Sequence, residues 1–185
     1  MRMNAVLGVA MGCGLAMWTA SCAVGQTAGR PRDDDLVLSA RGKNSPVVIV
    51  SPDAGEKSAE RLAAQDLSKY VGLMLGAAPP VAADDAAIQE ALKSGRPLLI
   101  VGRKAIELKP ALKGRLARTA KKDPYLRADA IVVLREGNRV YMAGTNDESH
   151  YYAVSELLHR WGCRWFIATD FGECIPEYDE LRVGA

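Results

Sequence analysis

The sequence is poor in the residues that build most reactive and binding sites. Aromatic residues make up 6% of its 185 positions, and it contains only two phenylalanines and two histidines. The formal net charge of +2 is too small for the concentrated basic face that nucleic acids and anionic membranes attract. Neither the dinucleotide-binding fingerprint nor the Walker A pattern occurs. We therefore expect no nucleic-acid partner and no bound cofactor.

Long apolar runs are also scarce, and the most prominent one lies at the start of the chain. Arg2 precedes an apolar run rich in glycine and alanine at residues 5–20, and small residues follow it. The run is short for a membrane span and has the layout of a secretory signal peptide. We therefore predict a signal peptide over residues 1–25 and an extracytoplasmic location, whether periplasmic, secreted or anchored in the envelope.

Two cleavage sites compete within this leader. The small residues at 23–25 would release a chain that begins at Gln26. Residues 19–22 resemble a bacterial lipobox that lacks the usual leucine at its first position. Cleavage there would make Cys22 the site of lipidation and would anchor the chain to a membrane without spanning it. Both alternatives remain open.

Cysteine is scarce as well, and only Cys163 and Cys174 lie outside the leader. An even pair in an exported chain is typical of a disulfide, and their separation along the chain permits the required approach of the two Cα atoms. The alternative is two separately buried thiols, because cysteine also packs as a small hydrophobe.

The remainder has the alternation of strands and helices that is typical of an α/β or α+β domain. Apolar runs at residues 46–50 and 97–102 indicate buried strands, and an amphipathic helix is predicted at 57–75. Gly137-Asn138 between two further apolar runs predicts a hairpin. We expect a single mixed β-sheet of about four to five strands, with helices packed mainly on one face.

This domain is predicted to cover residues 46–178. Residues 26–45 are polar and lack a sustained period, so we predict a flexible linker there. Residues 179–185 are interpreted as the start of a link to a following domain.

Two segments of the predicted domain raise the question of anion binding. In the turn at residues 101–104, a glycine at a strand end stands beside Arg103 and Lys104, and such a turn can expose backbone N–H groups to an anion. Residues 103–127 are rich in lysine and arginine, which could attract acidic sugars or an anionic polymer. The simpler interpretation of the basic stretch is a solvated connector on the outside of the domain.

The most distinctive stretch is residues 144–176. Thr145 and Glu148 have the spacing of a capping box, a helix with an apolar face is predicted at 150–161, and Gly162 is suited to end it. Aromatic side chains here are candidates for sugar stacking or for a domain interface, although aromatics at helical spacing more often belong to a core. These candidates are Tyr151, Tyr152, Trp165 and Phe166.

The same stretch resembles a known domain. Gly144-Thr145-Asn146, then Gly162-Cys163-Arg164-Trp165-Phe166, then Gly172-Glu173-Cys174-Ile175-Pro176 are similar to the end of the non-catalytic α/β domain that precedes the barrel in family 67 α-glucuronidases. The likeness extends to the corresponding domain of family 20 hexosaminidases and to a related family of large secreted bacterial proteins that resemble glycoside hydrolases. It covers residues 46–176.

The resemblance implies a mixed sheet followed in relatives by a catalytic (β/α)-barrel, which supplies the reacting groups. The sequence ends at Ala185, before a barrel could begin. We therefore expect a non-catalytic accessory domain that packs against and positions a barrel, either from a truncated reading frame or beside a separately encoded barrel. The alternative is a stand-alone envelope or lipid-anchored carbohydrate-binding protein, with polysaccharide as its partner.

A small hydrolase is a third hypothesis. Glycosidase chemistry needs two carboxylates that flank the bond, and Glu173 with Asp170 or Glu148 is the only local set. Glu148 already has the position of a helix cap, and the two histidines are not spaced to share a helical face. We therefore assign no catalytic, cofactor-binding or metal-binding residue.

Overall fold

The computed structural model of the chain describes residues 32–119, 129–167 and 169–184. The strands within these ranges are β1 (Leu36–Ser39), β2 (Val47–Ile49), β3 (Val81–Ala82), β4 (Leu98–Val101), β5 (Ile131–Glu136), β6 (Arg139–Gly144), β7 (Arg164–Trp165), β8 (Glu173–Cys174) and β9 (Glu180–Val183). The α-helices are α1 (Ala59–Leu75), α2 (Asp85–Lys93), α3 (Gly102–Leu108), α4 (Ala111–Thr119) and α5 (Asp147–Arg160).

The predicted signal peptide, both of its cleavage sites and Cys22 lie outside the described residues. None of the described helices combines the length and the apolar character needed to span a bilayer.

The main sheet has five strands in the order β3-β2-β4-β6-β5. β2 pairs in parallel with β3 and β4, β4 pairs in parallel with β6, and β5 runs antiparallel to β6. The tight turn predicted at Gly137 joins β5 to β6, and Gly137 has the left-handed backbone that such turns favour, with φ of 58°. The predicted mixed sheet is therefore confirmed.

Helices cover both faces of this sheet, so the prediction of helices mainly on one face is wrong. Val48 and Leu99 face α1 and α5, whereas Ile49 and Ile100 face α2, α3 and α4. Every residue of β2 and β4 is buried, and successive side chains of a strand point to opposite faces. A strand that is apolar at every position needs cover on both sides, as in other parallel sheets.

β1 and β9 extend the domain beyond the predicted limits of 46–178. They pair antiparallel, with Leu36 opposite Val183, and form a small second sheet. Leu38 and Leu181 are fully buried in the core beside α1 and α5. The predicted flexible linker and the predicted link to a following domain therefore each contribute a strand to the domain. Neither strand is long enough to show a period alone, and only their pairing satisfies their backbone groups.

A capping box begins α5, but its members are not the predicted Thr145 and Glu148. The side chain of Asn146 accepts from the N–H of Ser149 at 2.9 Å, and Ser149 Oγ accepts from the N–H of Asn146 at 2.7 Å. Thr145 Oγ1 instead accepts from the N–H of Ala130 at 3.2 Å. The helix therefore begins earlier than predicted, at Asp147.

Candidate functional site

The candidate site is the β7–β8 hairpin, which follows α5 and is described at residues 164–167 and 169–174. Gly162 turns the chain out of the helix with φ of 95°. Trp165 then pairs with Glu173, and the N–H of Phe166 donates to the carbonyl of Gly172 at 2.9 Å. Because paired residues share a face of the hairpin and neighbours alternate, Trp165 and Glu173 lie together on one face.

That face packs on α1 and forms a corner of four side chains. The rings of Trp165 and Tyr70 meet edge to face at 5.2 Å between centroids. Trp165 Nε1 donates to Tyr70 Oη at 3.1 Å, and Tyr70 Oη donates to Glu173 Oε1 at 2.6 Å. Lys69 Nζ lies 3.8 Å from Glu173 Oε1 and 4.7 Å from the centre of the Tyr70 ring. We call these residues, Lys69, Tyr70, Trp165 and Glu173, the α1 corner.

The protonation states of the corner follow from its contacts. Burial, together with the hydrogen bond to Glu173, raises the pKa of Tyr70 above its ordinary value, so the phenol stays protonated and donates. Slight burial opposes the charge of Lys69, but attraction to Tyr70 and Glu173 outweighs it and raises the pKa of Lys69. At neutral pH the corner therefore presents an ammonium beside a phenol and a bound carboxylate.

The loop of the hairpin exposes large apolar side chains. Phe166 is 75% exposed, Ile167 is 59% exposed and Phe171 is 99% exposed. Gly172 lies close to the backbone of this loop, since a Cβ there would stand 2.3 Å from the carbonyl oxygen of Ile167. Exposed apolar side chains grouped on one short segment are typical of an interaction surface. We call Phe166, Ile167 and Phe171 the apolar tip.

The two tyrosines predicted as further candidates do not join this site. Tyr151 is half-buried, packs against the core beside α1, and donates through its hydroxyl to Asp66 at 2.5 Å. The hydrogen bond joins α5 to α1, and burial together with this bond raises the pKa of Tyr151. Tyr152 is half exposed on α5, and it makes no ring contact with the described part of the hairpin. The stacking or interface roles of Tyr151 and Tyr152 stay predictions.

Cys163 and Cys174 form no disulfide bond. Cys163 is fully buried with its Sγ 3.7 Å from Met74 Sδ, and burial raises the pKa of its thiol to about 11. Cys174 pairs with Arg164, the neighbour of Cys163, so the alternation of side chains directs the two cysteines to opposite faces of the hairpin. The predicted disulfide is therefore not formed, and Cys163 packs as a small hydrophobe.

A second polar region lies at the carboxyl ends of β4 and β6, where open α/β sheets usually bind their ligands. The turn at residues 101–104, a candidate for anion binding, is formed there and is filled by the chain itself. Glu60, 1% exposed, accepts from both the backbone N–H and the Nε of Arg103, each at 2.8 Å. Gly102 has φ of 69°, and a Cβ on it would stand 2.3 Å from Glu60 Oε1. The carboxylate thus occupies the space that an external anion would need.

Two further side chains complete this carboxyl-edge cluster. Asp147 accepts from the N–H groups of Ala59 and Glu60 at 2.8 and 3.0 Å, and so caps α1. His150 is buried, and its Nδ1 accepts from the N–H of Gly144 at 2.9 Å. Burial lowers the pKa of His150, so the imidazole is neutral at neutral pH. The cluster, Glu60, Arg103, Asp147 and His150, joins the starts of three helices.

The basic stretch at residues 103–127, for which a solvated connector is the simpler interpretation and anion binding the alternative, is partly neutralised within the domain. Lys104 pairs with Glu107, and Lys109 pairs with Glu136 on β5. Residues 120–127 of the stretch lie outside the described residues. Over the ranges that are described, no three histidine, cysteine or acidic side chains are grouped so that they could hold a metal ion.

Comparison of this chain with protein-family models, with curated proteins and with solved structures found no match. The resemblance to the domain that precedes the α-glucuronidase barrel therefore stays a prediction from sequence motifs. Within those motifs, Trp165 and Phe166 do lie at the exposed hairpin, as a candidate site requires. Sequence reasoning missed Ile167, whose only signal was adjacency to Phe166, and Phe171, which lies just before the Gly172-Glu173 motif. It also missed Tyr70, because its helical spacing indicated core.

Proposed function

We propose that this chain is a non-catalytic accessory domain of an exported carbohydrate-active protein, and that it packs against and positions a catalytic (β/α)-barrel. The observation that carries the proposal is the apolar tip. Full burial of each of its large side chains would contribute about 1.5–3 kcal/mol, and the domain leaves all three in water. Docking against a neighbouring folded domain would bury these side chains.

The tip is presented by a rigid support, which favours docking. Trp165 and Glu173 hold the base of the hairpin to Tyr70 on α1. After β8, the hydroxyl of Tyr178 donates to the carbonyl of Trp161 at 3.0 Å, and its N–H donates to the carbonyl of Met74 at 2.8 Å. A segment whose base is already held in place loses less conformational entropy when it binds.

The proposal that the partner docked on the apolar tip is a barrel comes from the sequence. The residues that form the hairpin, Arg164-Trp165-Phe166 and Gly172-Glu173, are the ones that resemble the segment immediately before the barrel in α-glucuronidases. The carboxyl edge of the main sheet adds support for a non-catalytic role. Its turn holds Glu60 where an anionic ligand would bind, so this edge is built as a packed joint between helices.

The test is binding of the purified chain to a (β/α)-barrel domain. One source of the barrel is a gene next to the gene for this chain. The other is a family 67-type protein from which the N-terminal domain has been deleted. Light scattering after gel filtration should show a one-to-one complex, and the double variant Phe166→Ser/Phe171→Ser should abolish it. Tyr152→Ser, which removes an exposed aromatic from α5, is the matched control and should leave the complex intact. A complex that survives the double variant, or no complex with any of these barrels, would overturn the proposal.

A further inference from the structure

The α1 corner has exposed groups that are not needed to hold the hairpin to α1. Trp165 is 39% exposed even though its Nε1 is already bonded to Tyr70. The exposed part of the indole is therefore apolar ring. An aromatic ring of this kind can cover the C–H face of a sugar ring, which is the apolar side of an otherwise polar ligand.

A hydrogen-bond donor and an acceptor stand beside that ring. The Lys69 side chain is half exposed, and its Nζ lies 3.8 Å from Glu173 Oε1, which is longer than a hydrogen bond. Sugar hydroxyls both donate and accept, so they match an ammonium and a carboxylate held side by side. Because a loose ion pair near the surface contributes little to stability, redirecting these two groups to a ligand costs little.

The charges of the corner indicate which sugars fit. The ammonium of Lys69 and the carboxylate of Glu173 offset each other, and the third polar group is the neutral phenol of Tyr70. An acidic sugar would meet the carboxylate as well as the ammonium. Neutral pyranose units therefore match the corner better than uronic acids.

We propose that the α1 corner is a binding platform for a neutral polysaccharide of pyranose units. Trp165 stacks on one sugar ring, while Lys69 and Glu173 hydrogen-bond its hydroxyls. Tyr70 is a positioning residue, since it is buried and holds both Trp165 and Glu173. A single open platform of this size gives weak binding, with a Kd of about 1 mM for an oligosaccharide. The platform lies at the base of the hairpin and does not require the apolar tip.

The experiment is affinity electrophoresis of the purified full chain through native gels that contain one neutral polysaccharide each, namely cellulose ether, xylan, mannan or β-glucan. We expect at least one of these to retard the chain. Trp165→Ala should weaken the retardation about tenfold, and Lys69→Met should weaken it severalfold. Lys69 is on the surface, so Lys69→Met tests the site without disturbing the packing of the hairpin. Tyr152→Ala is the control for a general effect of exposed aromatics.

The outcomes separate this platform from barrel docking. The double variant Phe166→Ser/Phe171→Ser should still be retarded by the polysaccharide but should no longer form a complex with the barrel. Lys69→Met should form the complex with the barrel but should be retarded less by the polysaccharide. No retardation in any neutral gel, retardation only by a polyuronate, or retardation that Trp165→Ala and Lys69→Met leave unchanged would each overturn the proposal. Thermal unfolding of every variant shows whether a loss of binding comes from loss of the fold.

Discussion

The carboxyl-edge cluster and the β7–β8 hairpin place their unusual residues in opposite environments. At the carboxyl edge, Glu60 and His150 are buried, and the charged groups are bound to groups of the same chain: Glu60 is bonded to Arg103, and Asp147 to the start of α1. At the hairpin, the side chains of Phe166 and Phe171 are exposed to solvent. The charged and titratable side chains of the carboxyl-edge cluster therefore have a structural role, whereas the apolar side chains of the hairpin mark the candidate interface.

The difference has a physical cause. The start of each helix leaves backbone N–H groups without partners inside the helix, and a buried start must find acceptors elsewhere. Glu60 and Asp147 supply them for α3 and α1, so their carboxylates have a complete structural explanation. No comparable requirement of the isolated domain explains Phe171. The following predictions test this contrast, from the largest expected effect to the smallest.

Gly102→Ala should be the most destabilising change. Its Cβ would stand 2.3 Å from Glu60 Oε1, and φ of 69° is unfavourable for alanine in any surroundings. We expect a loss of about 3 kcal/mol or more in the free energy of unfolding, measured with urea. Gly95→Ala is the matched control, because Gly95 has φ of 70° but nothing within 4 Å of the added Cβ. Its cost should be about 1–2 kcal/mol, which is the backbone effect alone. Equal losses in the two variants would show that the contact with Glu60 is unimportant.

Glu60→Ala should cost about 2 kcal/mol, because it removes a buried carboxylate that accepts from both the N–H and the Nε of Arg103 at the start of α3. The comparison is Glu156→Ala, which removes an exposed ion pair with Arg160 on α5 and should cost no more than about 0.5 kcal/mol. Both free energies come from the same urea titration. If the two losses are alike, the carboxyl-edge cluster is not the structural joint described above.

His150 should make the domain less stable in acid. Its pKa is lowered by burial, so the unfolded chain takes up a proton on this residue at a higher pH than the folded chain does. The stability that the domain gains by keeping His150 neutral is complete above the ordinary histidine pKa of 6.5 and is lost as the pH falls below it. Glu60 and Asp147 oppose the shift and Arg103 reinforces it, and the net direction is a lowered pKa.

The measurement is the midpoint of urea unfolding between pH 8 and pH 5 for the wild type, His150→Asn and His159→Asn. The histidine-dependent part of the decline should disappear only in His150→Asn. A wild-type decline that both variants reproduce would place the acid sensitivity elsewhere.

Phe171→Ser should have the smallest effect on the isolated chain, within about 0.5 kcal/mol, because the side chain is 99% exposed and buries almost nothing. The same variant should weaken the proposed complex with a barrel. Thermal unfolding of the chain alone, followed by gel filtration with the barrel, measures both. A large loss of stability in the chain alone would mean that Phe171 belongs to the domain's own packing.

Local patterns explain what could be predicted. The apolar runs that became β2 and β4, the helical spacing of α1 and the tight turn at Gly137 all depend on residues that are near one another in sequence. The candidate status of Trp165 and Phe166 came from motifs of the same short range. The capping box of α5 was predicted in kind but not in its members, since several residues around 145–149 have side chains that can cap.

The sequence by itself therefore determined the central strands β2 and β4, the helix α1 and the tight turn at Gly137, because short-range sterics and amphipathic spacing select helices, strands and turns locally. Only the tertiary structure decided which distant segments meet. The pairing of β1 with β9 and the bond from Glu60 to Arg103 join residues far apart in sequence. The separation of Cys163 from Cys174 depends on the register of a hairpin. Such contacts form only where burial and backbone hydrogen bonding outweigh the entropy of closing long loops, and no local pattern encodes that balance.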